Sequence, residues 1–487
     1  MRSLSTWLDQ TIVDELILLL VAGSALVCGL WAAGHALLNK RDPRSALVWV
    51  TLSLTVPLVG PFAYWLLGIN RITRRALRWQ RRRRQLHHDE EPAPREPSTV
   101  VLPAPFAHLS DLVALGDRVA RNRLQSGNRI EPLENGEEAY PAMLDAIAQA
   151  QETINLSSYI FDGDGVGRGF VEGLAAAARR GVAVRVIVDA LGERYSTLTA
   201  REALAGSGVD LRLYLPLSQG PFINLRNHRK LLIIDGCIVF TGGMNIRSRH
   251  CIQQSDPHEA TRDLHFRVQG PVVAHLQRIF LEDWHFVSGQ WLADPRFFPP
   301  LHPSGSAVVR AIGDGPDRAF RKLEWIVMGA LSTARQRVRI MTPYFIPDRP
   351  MIVALTTAAL RGVEVTLVLP GHTNLPFVAW ASRASYWELL KHGIRIVEQP
   401  APFSHTKLFQ VDDCWTLIGS ANLDTRSLRL NFELNLSIFD LPFSAAISRY
   451  FDRALACSHP ITLEEVDGRP LAIRLRDGVA RLFSPYL

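Results

Sequence analysis

The chain has 487 residues, 47% hydrophobic and 21% charged. These proportions exclude a collagen-like, wholly disordered or coiled-coil protein. The formal charge of +7 is concentrated: eight arginines lie between Arg71 and Arg84, and removing those eight from +7 leaves −1, so the chain is not a basic nucleic-acid binder throughout.

At the N-terminal end, Leu16 to Leu38 is a run of 23 residues without a formal charge. As a helix it spans about 35 Å, enough for a bilayer core of about 30 Å. The residues before it include Asp9, Asp14 and Glu15, an acidic flank unlike that of a cleaved signal peptide. A second apolar run, Ser45 to Ile69, carries Pro57, Gly60, Pro61 and Gly68. With the short link 39–44 it makes a predicted transmembrane hairpin, and a re-entrant second segment is the alternative. The arginines of 71–84 favour the cytoplasmic side for everything downstream, opposed by the fewer Lys40, Arg41 and Arg44. The block is suited to anionic headgroups. Residues 86–108 contain five prolines and a DEE cluster and read as a linker.

From about residue 130 the pattern is αβ-like. Helices are expected over 140–151 and 169–180, and strands over 153–161 and 182–188, the last a β-branched run suited to burial on both faces. The order recurs. RGVAVRVIV at 180–188 is matched by RGVEVTLVL at 361–369, Ser158-Tyr159-Ile160 by Pro343-Tyr344-Phe345, and SGVDLR at 207–212 by HGIRIV at 392–397. The expected fold class is therefore α/β, with two similar lobes related by a pseudo-twofold behind an N-terminal α-helical transmembrane hairpin. The expected domains are 1–70 (membrane region), 71–110 (basic juxtamembrane segment and linker), 111–300 (first lobe) and 301–487 (second lobe).

The chemistry lies in one repeat. NHRKLLIIDGCIVFTGGMN at 227–245 and SHTKLFQVDDCWTLIGSAN at 404–422 share H-x-K, four residues, Asp, six residues and G-[GS]-x-N. His228 and Lys230 should share one face of a strand, as should His405 and Lys407. Asp235 and Asp412 belong to the motif as candidate catalytic positions, but each falls in a predicted hairpin turn, which favours turn closure and ion pairing. Cys237 and Cys414 occupy equivalent positions and are expected in the core. The other cysteines, 28, 251 and 457, form no CxxC pair, and a reducing compartment fits. Two histidines, two lysines and the amides Asn245 and Asn422 suit a phosphodiester. The lysines and amides can hold its oxygens, one imidazole can attack phosphorus, and the other can move the proton of the leaving alcohol.

These residues resemble the phospholipase D superfamily, marked by a duplicated HxKxxxxD(x6)GxxN. Further stretches narrow the resemblance to bacterial cardiolipin synthases: 44–70, NHRKLLIIDG, TGGMNI, and GSANLDTRSLRLNFELNL at 419–436. It covers nearly the whole chain and implies two phospholipase D-like lobes. It also implies a phosphatidyltransferase that makes cardiolipin and glycerol from two phosphatidylglycerols, without cofactor or metal. His228 and His405 would be nucleophile and acid/base, with the first-motif histidine more often the nucleophile. Lys230, Lys407, Asn245 and Asn422 would hold phosphate, and Asp263 and Glu433 would orient the imidazoles. Thr406, where alanine is frequent in the family, should face away from the site. The implied partners are phosphatidylglycerol and cardiolipin in an anionic membrane and no nucleic acid, and the implied place is the inner (cytoplasmic) membrane as a multi-pass protein. Rival functions are a hydrolytic phospholipase D, a transphosphatidylase using another alcohol, a nuclease and a non-catalytic scaffold. The NLDTRS segment, the N-terminal region, the near-neutral catalytic portion and the completeness of both motifs weigh against them.

Overall fold

A computed structural model describes residues 2–40, 42–69, 100, 102–216, 225–315, 321–429 and 431–484, with side chains from Glu15 and without that of residue 67. The arginine block and most of the predicted linker lie outside these residues. The chain divides into two compact units, 1–86 and 87–487.

In the first unit a helix runs Arg2–Asn39, and its segment Glu15–Asn39 has a mean hydropathy of 2.4. A second helix, Pro43–Thr55, starts on the Asp42 carboxylate, which accepts from the amides of Arg44 and Ser45. The two pack closely where Gly29 faces the Ser53 carbonyl; a Cβ there would sit 2.9 Å from that oxygen. His35 Nδ1 lies 2.7 Å from the Tyr64 hydroxyl. The second apolar run is not one helix. It breaks at Pro57 and Leu58, which has φ +61°, and resumes as Val59–Ala63 and a π turn Tyr64–Gly68, because proline removes an amide and crowds the preceding turn. Among the described residues one helix is long and apolar enough to cross a membrane.

The second unit is built on a 15-stranded mixed sheet. Its centre is the antiparallel junction of Gln125–Glu134 with Ala307–Asp314. Outward from the first of these come Leu264–Gln269, Ile238–Gly242, Leu231–Ile234, Thr153–Ser158, Ala183–Asp189 and Asp210–Tyr214. Outward from the second come Glu433–Phe439, Trp415–Gly419, Leu408–Val411, Arg337–Met341, Glu364–Pro370, Arg395–Gln399 and the edge strand His459–Ile461. The two halves thus use repeated segments in the same order. The run predicted as a doubly buried strand is Ala183–Asp189, paired in parallel on both sides. Helices Asn135–Gln149 and Val166–Arg179 cover one half through Tyr140, Met143, Ile147, Phe170 and Leu174. Helices Val273–Ser288 and Leu441–Ala456 fill a core shared by strands of both halves, around Phe280, Trp284, Ile447 and Phe451.

The motif hairpins turn where expected. Asp235 and Gly236 have φ +49° and +63°, and Asp412 and Asp413 both +50°, the left-handed central pair of a primed turn, closed by the Cys237 amide on the Ile234 carbonyl and by the Cys414 amide on the Val411 carbonyl. Cys414 is buried, but Cys237 is exposed, so only one of the pair is core packing; Cys237 lies in the turn ahead of the strand Ile238–Gly242.

Candidate active site

The strands Leu231–Ile234 and Leu408–Val411 begin one residue after the H-x-K triplets. The histidines and lysines therefore stand on the extended lead-in to each strand, where the strand assignment expected from sequence does not reach. The lead-ins pair across the halves. The His228 amide donates to the Phe432 carbonyl at 2.9 Å, and the His405 amide to the Arg262 carbonyl at 2.7 Å. Each motif is thereby held by the segment that precedes the other half's acidic residue.

That exchange decides which carboxylate meets which imidazole. His405 Nδ1 lies 2.8 Å from Asp263 Oδ2. His228 Nδ1 lies 3.3 Å from Glu433 Oε1. Asp263 belongs to the first half and Glu433 to the second, so each half's carboxylate meets the other half's imidazole. In both rings it is Nδ1 that faces the carboxylate. Asp263 and Glu433 are buried. Glu433 is further fixed by the Ser420 hydroxyl and by Asn431 Nδ2 at 3.1 Å. Asp263 accepts from the Leu264 amide at 2.8 Å. A Cβ at Gly243 would lie 2.5 Å from both Asp263 oxygens, so that glycine makes room for the carboxylate. Ser420, at the matching place in the second motif, instead donates to its carboxylate.

The lysines complete the cluster. Lys230 Nζ donates to the His228 carbonyl at 2.7 Å, and Lys407 Nζ to the His405 carbonyl at 2.6 Å. Lys407 Nζ is also 3.1 and 3.2 Å from the two His405 ring nitrogens. Burial lowers Lys230 to about 7 and Lys407 to about 8, against the pull of Glu433 and Asp263. Burial and the neighbouring lysines hold His228 low and His405 well below the ordinary imidazole value. Burial raises Asp263. Glu433 is pushed up by burial, but His228, Lys230 and Ser420 bring it below the usual range. Burial thus holds the cations short of charge, and a bound anion would restore it.

The amides are placed unequally. Asn245 Oδ1 accepts from the Ile160 amide at 3.2 Å, whereas Asn422 is buried with its Oδ1 unpaired. Asp235 and Asp412 are corrected as catalytic candidates. They sit at the far ends of the strands, where Asp235 accepts from the amides of Gln151, Glu152 and Thr153. Asp412 accepts from those of Arg335, Gln336 and Arg337 and from His108. A left-handed turn residue with a short carboxylate is well placed to tie down the adjacent loop. Thr406 does point away, its Oγ1 3.2 Å from the Tyr450 hydroxyl.

Several neighbours carried a sequence signal that was not tied to the site. Tyr159 and Tyr344 are the matched tyrosines of the repeat; their rings lie 5.1 Å from His228 and 6.3 Å from His405. Asn431 is two residues before Glu433. His250 is buried, its ring 6.5 Å from that of His405, and nothing in the spacing of the sequence marks it. Among the described residues no group of three His, Cys, Asp or Glu is arranged to hold a metal ion.

The family signature described as "Cardiolipin synthase, PLD-like domain" matches residues 143–284 and 327–455, and the phospholipase D-nuclease N-terminal signature matches residues 29–68. The chain is 32% identical to a cardiolipin synthase of Geobacillus thermodenitrificans over 92% of this chain and 90% of that one. It is 31% identical to the major cardiolipin synthase of Bacillus subtilis over 92% and 95%. In structure it is similar to the phosphatidylserine synthase of Haemophilus influenzae, with a TM-score of 0.57, 14% identity, and coverage of 74% of this chain and 95% of that one, a likeness of fold. With both motifs inside the matched regions, the chain belongs to the cardiolipin synthase family of the phospholipase D superfamily.

Proposed function

We propose that the chain joins two phosphatidylglycerols into cardiolipin and glycerol through a phosphohistidine diester, with His228 as nucleophile and His405 as acid and base. His228 Nε2 forms a bond to phosphorus as the bond from phosphorus to the glycerol oxygen breaks, and His405 gives that oxygen its proton. The free hydroxyl of a second phosphatidylglycerol then loses its proton to His405 and attacks phosphorus, and the P–N bond breaks. One phosphodiester replaces another, so no nucleotide is consumed. Lys230, Lys407, Asn245 and Asn422 hold the non-bridging oxygens, whose charge grows in the transition state. Asp263 and Glu433 orient His405 and His228.

The observation that carries this assignment is the exchange of carboxylates between the halves: the pairs His405–Asp263 and His228–Glu433 give two imidazoles different surroundings in one cluster. The repeated strand order supports a pseudo-twofold between lobes 111–300 and 301–487. We assign 1–70 to the membrane, with the second apolar run as its second crossing, and place the lobes on the cytoplasmic side of the inner membrane. Arg71–Arg84, within the juxtamembrane segment 71–110, would lie against anionic headgroups.

The test is reconstitution in phosphatidylglycerol vesicles without added nucleotide or metal, following cardiolipin, glycerol and phosphatidic acid together. Cardiolipin and glycerol in equal amounts, reversed by excess glycerol, are expected. Phosphatidic acid alone would make water the acceptor and replace transfer by hydrolysis.

A further inference from the structure

The helix Leu471–Leu482 is amphipathic in the inverse sense. Four of its five large apolar side chains face outward: Leu471 is 70% exposed, Leu475 61%, Val479 54% and Leu482 76%, while Ile473 is half-buried. At 100° per residue these four form one stripe. The side facing the protein holds Ala480 and Asp477, both buried. Asp477 is the only acid of the helix, and it is neutralised by Arg469 at 2.7 Å and Arg476 at 2.8 Å. Arg476 also stacks 4.4 Å from the Trp380 ring. The helix has thus drawn its aspartate inward and left its leucines out. A helix serving only a soluble core does the reverse.

The outward stripe continues past the helix. Phe483 is exposed and packs on exposed Phe377, ring centroids 5.6 Å apart. Phe377 and exposed Leu375 flank Pro376, which lines a cavity of about 190 Å³. Tyr344, the neighbour of His405, is another wall of that cavity. Along one border of the stripe stand Arg474 and Arg481, both exposed. The helix therefore shows solvent leucines and cations and no acid.

We infer that Leu471–Leu482, with Leu375, Phe377 and Phe483, is an interfacial docking face that seats the catalytic unit on an anionic bilayer beside the cavity adjoining His405. Leucines on one face and arginines at its border are the chemistry of a helix lying in a membrane surface, where acyl chains take the first and phosphates the second. A second copy of this chain would have to supply acids opposite Arg474 and Arg481; a phosphatidylglycerol surface already does. The inference rests on the proposed lipid substrate only for its purpose, not for its geometry.

The test uses the full chain, one copy per nanodisc, in phosphatidylglycerol and in phosphatidylcholine discs, with hydrogen–deuterium exchange followed over 471–484. Exchange at least ~10-fold slower in phosphatidylglycerol discs is expected. Leu475→Ser with Leu482→Ser should remove that protection, since each exposed leucine is worth about a tenfold change in partition. Arg474→Glu with Arg481→Glu keeps the leucines and should erase the difference between the two lipids. Equal exchange in both lipids and in every variant would overturn the inference. Cardiolipin formation is measured separately on the same discs: protection without synthesis would refute the proposed reaction and leave the docking face standing.

Discussion

Replacing Asp263 by asparagine separates fold from chemistry. The carboxylate of Asp263 makes one contact that matters for reaction, the 2.8 Å approach to His405 Nδ1, and one local contact to the Leu264 amide. Asparagine keeps an oxygen for the amide but offers His405 either a neutral acceptor or a donor. A hydrogen bond to a charged partner is worth about 1.5–3 kcal/mol, which as lost transition-state stabilisation is about 10- to 150-fold in kcat. KM for phosphatidylglycerol should hardly move, because the lysines and amides that face phosphate are untouched. Stability has the opposite expectation. Burial raises the folded Asp263 above its ordinary value. Such a carboxyl favours the fold only below its unfolded pKa; once pH rises past that value toward the folded one, the favourable contribution is lost and the buried anion is a cost. At neutral pH Asp263→Asn should therefore melt no lower than the parent. The assay is cardiolipin formation in phosphatidylglycerol vesicles, with thermal unfolding of the same samples. A kcat within twofold of the parent would refute the orienting role, and a collapse of folding would refute the separation of the two roles.

Other perturbations act on neighbouring features. Asp235→Ala and Asp412→Ala each remove an acceptor for three backbone amides; each should cost roughly 2–4 kcal/mol of stability, read by denaturant unfolding, with kcat per folded molecule unchanged. Gly243→Ala places a methyl within 2.5 Å of both Asp263 oxygens and should cost about 1–3 kcal/mol while lowering kcat as Asp263→Asn does, which the same two assays compare. Lys230 and Lys407 are lowered to about 7 and about 8, so the free site has lost part of its positive charge by pH 8, whereas bound oxyanion favours the protonated amines. Vanadate should bind with net proton uptake near pH 7.5 and weaken as pH rises above 8; calorimetry in buffers of different ionisation enthalpy reads both, and Lys230→Met should reduce the uptake.

Much of the site is legible in the sequence because the motif occurs twice. The repeated spacing brings out His228, Lys230, His405 and Lys407, and the two turns follow from Asp-Gly and Asp-Asp between apolar runs. Other features are not legible. The strands start after the H-x-K triplets, since the lead-ins are held by pairing to Arg262 and Phe432 of the other half, a long-range contact that no local period encodes. For the same reason the exchange of Asp263 and Glu433 between the histidines is invisible until the halves meet. The repeat at Tyr159 and Tyr344 was visible, yet only the fold reveals that both rings lie beside the imidazoles. In the N-terminal unit, hydropathy reads the second apolar run as continuous, while Pro57 interrupts its helix. The inverted helix Leu471–Leu482 has a common amphipathic pattern; which side faces out is decided by the pairing of Asp477 with Arg469 and Arg476.

The central claim is that a phosphatidyl group passes through one imidazole and is protonated and released by way of the other. Its most direct test is rapid-quench mass mapping of the chain turning over phosphatidylglycerol, in the parent, in His405→Ala and in His228→Ala. A phosphatidyl adduct on His228, present in the parent and absent from His228→Ala, is the result predicted. Cardiolipin formed at the parental rate by His228→Ala, or an adduct on His405 alone, would contradict it.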